Sequence, residues 1–128
     1  MDISRSLLDN VAVVLKSPKY PGNIGAAARS CYNMGISNLV AVRDDYPDYE
    51  AMARMATHNA AHLIRDLSIS PTLEEALAPY SCVVGTTARL GRKRTVEQTP
   101  RDVVKEIIPL LKNNKVAFLF GPEDRGLT

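Results

Sequence analysis

The sequence has few of the residues on which several classes of protein depend. It contains two cysteines in 128 residues, Cys31 and Cys82, which lie far apart in apolar surroundings and form no C-x-x-C pair. This excludes a disulfide-rich scaffold and predicts two buried, reduced thiols. No apolar run approaches the roughly 18 residues that span a bilayer, and the first residues lack the pattern of a signal peptide. We therefore expect a cytoplasmic protein with no membrane partner.

Charge and glycine spacing exclude further classes. The formal net charge is only +2, so any nucleic-acid partner needs a local basic patch rather than the field of the whole molecule. Gly22 and Gly25 have the spacing G-x-x-G, whereas dinucleotide sites need G-x-G-x-x-G, and the P-loop pattern is missing as well. Hydrolysis is disfavoured because no G-x-S-x-G elbow and no partnered cysteine or carboxylate pair is present.

Apolar strands and helical segments alternate along the chain. The predicted strands are Val11–Leu15, Asn38–Arg43, Ser81–Thr87 and Lys115–Phe120, and the predicted helices follow Asn23, lie in part within Asp48–Ile64, and span Leu73–Tyr80 and Pro100–Asn113. Asn23 and Thr72 are candidate N-caps, and Gly35 is a candidate helix end. The almost unbroken apolar strands are typical of a mostly parallel sheet with helices on both faces. We predict a single α/β domain over residues 1–128.

The loops that follow the strands are the expected place for a site, because open parallel sheets bind ligands beyond the carboxyl ends of their strands. The loop after the third predicted strand is longer than most strand–helix connections. Its four basic residues are Arg89, Arg92, Lys93 and Arg94. Such a loop either contacts the phosphates of a nucleic acid or is simply solvated.

Two other clusters of titratable residues favour an ordinary surface. His58 and His62 share one helix face in the segment "HNAAH", but Asn59 stands where zinc proteases carry a glutamate. A half-exposed helix surface is therefore favoured over a metal site. The acidic residues between positions 44 and 50 indicate a solvated loop with no assigned role.

Three stretches, "PGNIGAAARSCYNMG", "VVGTTAR" and "FGPEDRGLT", resemble one protein family when read together. They resemble the knotted SPOUT-class RNA methyltransferases of the SpoU/TrmH type, with the TrmJ branch the nearest. The first stretch matches motif 1 of that family, N-x-x-x-x-x-R followed by glycine, and the last matches motif 2, F-G-x-E-x-x-G-L. The matching residues are Asn23, Arg29 and Gly35 in motif 1 and Phe120, Gly121, Glu123, Gly126 and Leu127 in motif 2. The resemblance covers nearly the whole chain.

The resemblance implies a fold and an activity. Members have the SPOUT, or α/β-knot, fold and transfer a methyl group from S-adenosyl-L-methionine to a ribose 2′-hydroxyl in RNA. The TrmJ branch does so in the anticodon loop of tRNA. The family works as homodimers, and no metal is expected. Motif 3 and the closing helix, which thread the trefoil knot, would follow Thr128. The resemblance therefore implies a domain that is incomplete at its C-terminus and inactive by itself.

The resemblance also implies roles for individual residues. Arg29 is implied as the catalytic arginine, Asn23 as the residue that helps hold it and the substrate, and Glu123 as the residue that fixes the arginine or the motif 2 turn. Because a guanidinium stays charged near neutral pH, Arg29 is expected to stabilise the developing alkoxide rather than act as a base. The implied donor contacts are Thr86, Thr87, Ala88, Gly121, Pro122, Glu123 and Gly126. The implied RNA contacts are Arg89, Arg92, Lys93 and Arg94.

Other interpretations stay open on the residues alone. Arg29 by itself is better explained as a solvated helix arginine, and Gly121 as a plain turn glycine. For the whole chain, the two rivals are a non-catalytic RNA-binding fragment of the same fold and an unrelated α/β nucleotide-binding enzyme. The glycine spacing disfavours the second. Binding of S-adenosylmethionine would separate the methyltransferase from both.

Overall fold

The computed structural model of the chain describes residues 8–85, 109 and 114–121. The strands in these residues are β1 (Val11–Lys16), β2 (Asn38–Val42), β3 (Ser68–Ser70), β4 (Cys82–Gly85) and β5 (Val116–Phe120), and the helices are α1 (Pro21–Met34), α2 (Tyr49–Arg65) and α3 (Leu73–Leu77). All four predicted strands are present. The end of the third, at Thr86 and Thr87, lies outside the described residues, as does nearly all of the predicted helix Pro100–Asn113.

All neighbouring strands are parallel, in the order β3-β2-β1-β5-β4. β1 lies at the centre, where Val13 is paired with Leu39 of β2 on one side and with Phe118 of β5 on the other. From β1 the chain moves outward to β3, crosses to β4 at the far edge and returns to β5. The strand order therefore reverses between β1 and β5, and such a reversal is where open parallel sheets bind ligands. The predicted parallel α/β fold is confirmed.

One strand, β3, has no counterpart in the sequence prediction. It contains three residues and pairs with the end of β2, where Ala41 lies opposite Ile69. The run is shorter than the roughly four to eight residues of a recognisable strand, and two of its residues are serines. Pairing with β2 makes it a strand, and the backbone N–H of Arg43 extends the pairing by donating to the carbonyl oxygen of Ser70 at 2.9 Å.

Helices cover both faces of the sheet. On one face, α1 and α2 pack against a core that includes Val11 and Val13 of β1. On the other face, α3 packs against a second core that includes Val14 and Val40. Successive strand residues point to opposite faces, so burial on both faces explains why β1 is apolar without interruption. The prediction of helices on both faces is confirmed.

The start of α1 differs from the sequence prediction. Asn23 is not the N-cap, because the helix begins at Pro21 and Tyr20 stands at the cap position without a side-chain cap bond. Proline has a backbone φ close to that of a helix and lacks an N–H that would need a partner, so it is well suited to the first helical position. Asn23 therefore lies inside the first turn, where its N–H donates to the Tyr20 carbonyl oxygen at 3.0 Å.

The other two predicted helix signals are confirmed. Gly35 ends α1 in the left-handed conformation at φ 83°, and the N–H of Ile36 donates to the Cys31 carbonyl oxygen at 2.9 Å. This is the usual way in which glycine terminates a helix. The Thr72 hydroxyl accepts a hydrogen bond from the N–H of Glu75 at 3.1 Å and caps α3. That helix ends at Leu77, three residues earlier than predicted, at a turn that leads to Tyr80.

The small residues of α1 are used for contact with α2 in the same chain. A Cβ atom at Gly25 would overlap the backbone carbonyl oxygen of Met52 and would lie 3.1 Å from the Cβ of Met55. Gly22 is also close to α2, with a built Cβ only 3.3 Å from Cγ of Met55. The two helices therefore meet backbone to backbone, and only glycine fits at position 25.

α2 consists of two helical pieces joined at Thr57. This residue has φ 69° and ψ 160°, which a β-branched side chain rarely adopts. The sequence prediction of a segment that is helical in part agrees with this break. Within the described residues, neither α2 nor another helix has the length and apolar character needed to cross a membrane.

Candidate functional site

A cavity of about 300 Å³ lies between α1 and the paired strands β1 and β5, where the strand order reverses. It extends along α1 from Asn23, near the carboxyl edge, to Met34 at the end of the helix. Its lining residues are Val13, Leu15 and Pro18 from β1 and the following loop, Asn23, Ala27, Ser30, Cys31 and Met34 from α1, and Phe120 and Gly121 from the end of β5. The cavity brings Asn23 of motif 1 and Gly121 of motif 2 to one place, although they are distant in sequence. The fold thus joins two of the predicted site residues.

The wall that α1 contributes follows from helical spacing. Asn23, Ala27, Ser30 and Met34 recur at intervals of three or four residues and share one side of the helix. Arg29 follows Asn23 by six positions, which turns its side chain by about 120° and moves it by about 9 Å along the axis. Arg29 is not among the lining residues. Arg29 therefore lies on a different side of α1 from the residues that line the cavity.

Arg29 lies on the outer side of α1, as predicted. Ile24, Ala28 and Cys31 are buried against the sheet, whereas Arg29 is exposed. No hydrogen bond or ion pair joins its guanidinium to another residue in the described part of the chain. The side chain is thus a solvent-facing cation in this chain, and a second molecule can approach it.

Cys31 lines the cavity, but its thiol is unreactive near neutral pH. Only 1% of the residue is exposed, and burial raises the pKa of its thiol to about 11. The thiol stays protonated near neutral pH, so it is not a nucleophile. The prediction of a buried reduced thiol is confirmed for Cys31, while Cys82 is free and half-buried.

The loop that leads from β1 into α1 is joined to β2 by a residue that the sequence did not single out. Arg43, directly after β2, donates to the carbonyl oxygen of Pro18 at 3.4 Å and to the carboxylate of Asp45 at 3.2 Å. The one available sequence signal is a basic residue at the end of a strand with an acid two positions later.

The acidic loop also has a structural role, because the carboxylate of Asp48 caps α2 by accepting from the N–H of Glu50 at 3.2 Å.

The histidine pair lies on the surface of α2, away from this cavity. His58 and His62 are both exposed, Nδ1 of His62 is 3.1 Å from the carbonyl oxygen of Asn59, and its ring meets the ring of Tyr32 edge to face at 5.9 Å. The residues described by the structure contain no group of three or more side chains that could hold a metal ion. The exposure of both histidines agrees with the interpretation of "HNAAH" as helix surface.

The remaining predicted site residues lie outside the described residues. They are the donor-binding residues Thr86, Thr87, Ala88, Pro122, Glu123 and Gly126 and the basic residues Arg89, Arg92, Lys93 and Arg94. Of the predicted catalytic and donor-binding residues, the structure thus places Asn23, Arg29 and Gly121.

A parallel sheet with a cavity at its point of strand reversal defines an α/β protein of the kind that binds its ligand at the carboxyl edge. Comparison with known families identifies the family within this class. The profile of the SpoU rRNA Methylase family matches residues 10–128. The chain belongs to this family.

Curated relatives agree with this membership. The chain is 40% identical over 124 residues to the tRNA (cytidine/uridine/adenosine-2′-O-)-methyltransferase TrmJ of Pseudomonas aeruginosa, with 95% of this chain and 48% of that protein covered. It is 36% identical over 123 residues to the uncharacterized tRNA/rRNA methyltransferase LasT of Escherichia coli, with 92% of this chain and 52% of that protein covered. The chain therefore spans about half the length of the curated relatives it matches.

A solved structure shows the same fold. TrmJ from Z. mobilis ZM4 superimposes with a TM-score of 0.77 at 34% identity, and the match covers 91% of this chain and 52% of that chain. The arrangement of parallel sheet and helices is thus that of the SPOUT methyltransferases to which the sequence motifs pointed.

Proposed function

We propose that the protein to which this domain belongs transfers a methyl group from S-adenosylmethionine to the 2′-hydroxyl of a ribose in tRNA. Enzymes of this family are S-adenosylmethionine-dependent methyltransferases. The observation that carries the proposal is the meeting of motif 1 and motif 2 at one cavity, where Asn23 and Gly121 lie at the point of strand reversal. The names of the TrmJ relatives supply the tRNA and the 2′-hydroxyl.

The described residues fit part of a site for the methyl donor. Gly121 is half-buried directly after β5 and has no side chain, so a ligand can approach its backbone closely. The exposed ring of Phe120 provides an apolar surface beside it. The polar contacts that the donor also needs are proposed to come from Thr86, Thr87, Ala88, Pro122, Glu123 and Gly126.

Arg29 is proposed to stabilise charge on the reacting ribose oxygen. The bound donor supplies an electrophilic methyl group on a sulfonium, whose loss leaves a neutral thioether. As the ribose oxygen releases its proton to solvent water and bonds to the methyl carbon, negative charge develops on it, and a fixed cation would lower the energy of that state. A guanidinium does not release its proton near neutral pH, so Arg29 acts as a cation and not as the base.

The position of Arg29 favours a homodimer. Its side chain is exposed and is absent from the cavity of its own chain. A second subunit whose cavity faces the outer side of α1 would bring a donor and Arg29 together. We therefore propose that the active site is completed across a homodimer interface.

The finer features of the resemblance remain part of this proposal. They are the trefoil knot, a target nucleotide in the anticodon loop, a cytoplasmic location, a structural role for Glu123, and contact of the tRNA backbone with Arg89, Arg92, Lys93 and Arg94. Basic residues of this kind bind phosphates without reading sequence, so they would set the position of the tRNA rather than choose the nucleotide.

Methyl transfer by the full-length gene product tests the proposal. The protein is incubated with S-adenosylmethionine that carries an isotopic label on its methyl group and with unmodified tRNA or ribosomal RNA. Nuclease digestion and mass spectrometry then locate 2′-O-methylated nucleosides. We expect the label in the anticodon loop of tRNA. Label found only in ribosomal RNA, or on a base instead of a ribose, would contradict the proposed substrate.

Calorimetric titration with S-adenosylmethionine separates the donor site from the RNA site. The 128-residue chain is compared with the full-length gene product. Donor binding by the full-length product alone would show that residues beyond this chain complete the site. A full-length product that is folded but binds no donor would contradict the proposed activity and favour the alternative of an RNA-binding protein.

A further inference from the structure

We infer that Arg43 is a positioning residue, which fixes the entry of α1 by holding the carbonyl group of Pro18. The inference rests on the proposed function for its effect on catalysis, but its structural part can be tested without it. Arg43 does not itself line the cavity, and in the described part of the chain its side-chain hydrogen bonds go to Pro18 and Asp45 rather than to Arg29. It would act through the loop of residues 17–20, which connects β1 to α1.

The backbone of Arg43 is itself held in place. It follows β2 directly, and its N–H donates to the carbonyl oxygen of Ser70 at 2.9 Å, which extends the pairing of β2 with β3. Its side chain is only 23% exposed, and Nη2 donates to the carboxylate of Asp45 at 3.2 Å. The guanidinium therefore extends from a backbone that is paired in the sheet, next to the loop of residues 17–20.

The other end of the link is a loop that needs such support. Ser17 has φ 49°, in the left-handed region that residues other than glycine seldom adopt. Pro18 is buried and has no backbone N–H, so its backbone can form hydrogen bonds through the carbonyl oxygen alone. Nη1 of Arg43 donates to that oxygen at 3.4 Å, across 25 positions of sequence. The bond is long, but the charge of the donor strengthens it.

The loop matters because it sets the position of motif 1. Pro18 and Asn23 both line the cavity, and only two residues separate Pro18 from the start of α1 at Pro21. A shift of the Pro18 carbonyl would therefore be passed to the first turn of α1. Small errors in the position of groups around reacting atoms can lower a rate many-fold.

Hydrogen exchange provides the test that does not depend on activity. We expect Arg43→Ala to increase the exchange rates of the amides at positions 19, 20, 22 and 23 by about tenfold and to leave Leu39–Val42 of β2 unchanged. The matched control is Arg65→Ala, at an exposed arginine on the end of α2. Unchanged exchange near Asn23 would overturn the inference. An increase throughout β2 would also overturn it, because it would show a general loss of stability.

Kinetics of the full-length gene product provide the second test. If Arg43 acts by position, Arg43→Ala should lower kcat by about tenfold with little change in KM for tRNA or donor. Asp45→Ala should change kcat by less than about twofold, because that carboxylate is 73% exposed and exposed ion pairs are weak. A rise in KM for tRNA at constant kcat would indicate a phosphate contact and overturn the positioning role.

The two proposals fail in different ways. If the wild-type product transfers no methyl group, the proposed function is wrong, and hydrogen exchange alone decides the role of Arg43. If the wild type is active while Arg43→Ala retains its kcat and its exchange pattern, the positioning role is wrong and the proposed function stands.

Discussion

The two edges of the sheet are built differently. At the amino edge, polar groups are bonded to one another: the side-chain amide of Asn38 donates to the carbonyl oxygens of Asp9 and Val11 at 3.0 and 3.2 Å, and the hydroxyl of Ser81 donates to the side chain of Asn114 at 3.1 Å. At the carboxyl edge, Pro18, Asn23 and Gly121 line one end of a cavity. Under the proposed function, the carboxyl edge, where Asn23 and Gly121 line one cavity, is the edge that binds a ligand. The hydrogen bonds at the amino edge are expected to contribute to stability.

α1 connects the two edges and has a different role at each. It begins at the carboxyl edge, where Asn23 lines the cavity, and ends at the amino edge with the glycine cap at Gly35. It is also packed against α2 at Gly25. Substitutions at different positions of this helix should therefore lower either the rate of methyl transfer or the free energy of unfolding, but not both. The following predictions use this difference.

The largest effect is expected at Arg29. If the proposed role is right, Arg29→Ala in the full-length gene product should lower methyl transfer by about 100-fold or more, because it removes the cation proposed to act in the transition state. Affinity for S-adenosylmethionine, measured by calorimetry, and the free energy of unfolding should change little, because the side chain is exposed.

Arg54→Ala is the matched control for Arg29, since Arg54 is an exposed arginine on α2. It should leave the rate unchanged. A large loss of donor affinity in Arg29→Ala would show that Arg29 belongs to the donor site and would contradict the assignment.

The largest effect on stability is expected at Gly25. Gly25→Ala places a methyl group against the carbonyl oxygen of Met52, so α1 and α2 must move apart, at a cost of about 3 kcal/mol. Urea denaturation measures the free energy of unfolding. Ala26→Gly changes the neighbouring position in the opposite sense and should cost about 1 kcal/mol through helix propensity alone. A Gly25→Ala protein as stable as the wild type would show that the helices are not in backbone contact.

A smaller effect, confined to the amino edge, is expected at Asn38. Asn38→Ala removes both hydrogen bonds to the carbonyl groups of Asp9 and Val11 and should cost about 1–2 kcal/mol. Methyl transfer per folded molecule should not change. Asn33→Ala, at an exposed position of α1, should cost less than half as much. If Asn38→Ala is fully folded but transfers methyl groups more slowly, the amino edge also affects catalysis, and the expected difference between the two edges is wrong.

The smallest effect near neutral pH is expected from Cys31. Burial raises the pKa of this thiol to about 11 in the folded protein, while the unfolded thiol keeps its lower, ordinary value. The unfolded state therefore loses its proton first, and stability should be intact below pH 8 and fall as the pH rises toward 11. Cys31→Ala should reduce this fall, and part of it should remain because burial also raises the pKa values of Tyr46 and Tyr80.

Thiol labelling checks the same point without denaturation. Near pH 8, a disulfide reagent should modify half-buried Cys82 before it modifies Cys31. Rapid labelling of Cys31 in the folded protein would contradict the burial that raises its pKa.

The features predicted correctly from the sequence depend on residues close together in the chain. The glycine cap at Gly35 and the threonine cap at Thr72 bond to partners within four positions along the chain. The central strands are predicted by continuous runs of apolar residues. Such local patterns can be recognised in the sequence without knowledge of the fold. The N-cap predicted at Asn23 was wrong because Pro21 competes for the same helix start.

By itself, the sequence determined four of the five described strands, the parallel α/β class and the motifs that indicate a SpoU-type methyltransferase, because local pattern and residue type carry that information. Tertiary structure alone decided that β3 is a strand, that Gly25 meets Met52 and that Arg43 bonds to Pro18. Each of these depends on where a distant segment lies in space. Hydrogen bonding and close packing between such segments leave little trace in the composition of either one.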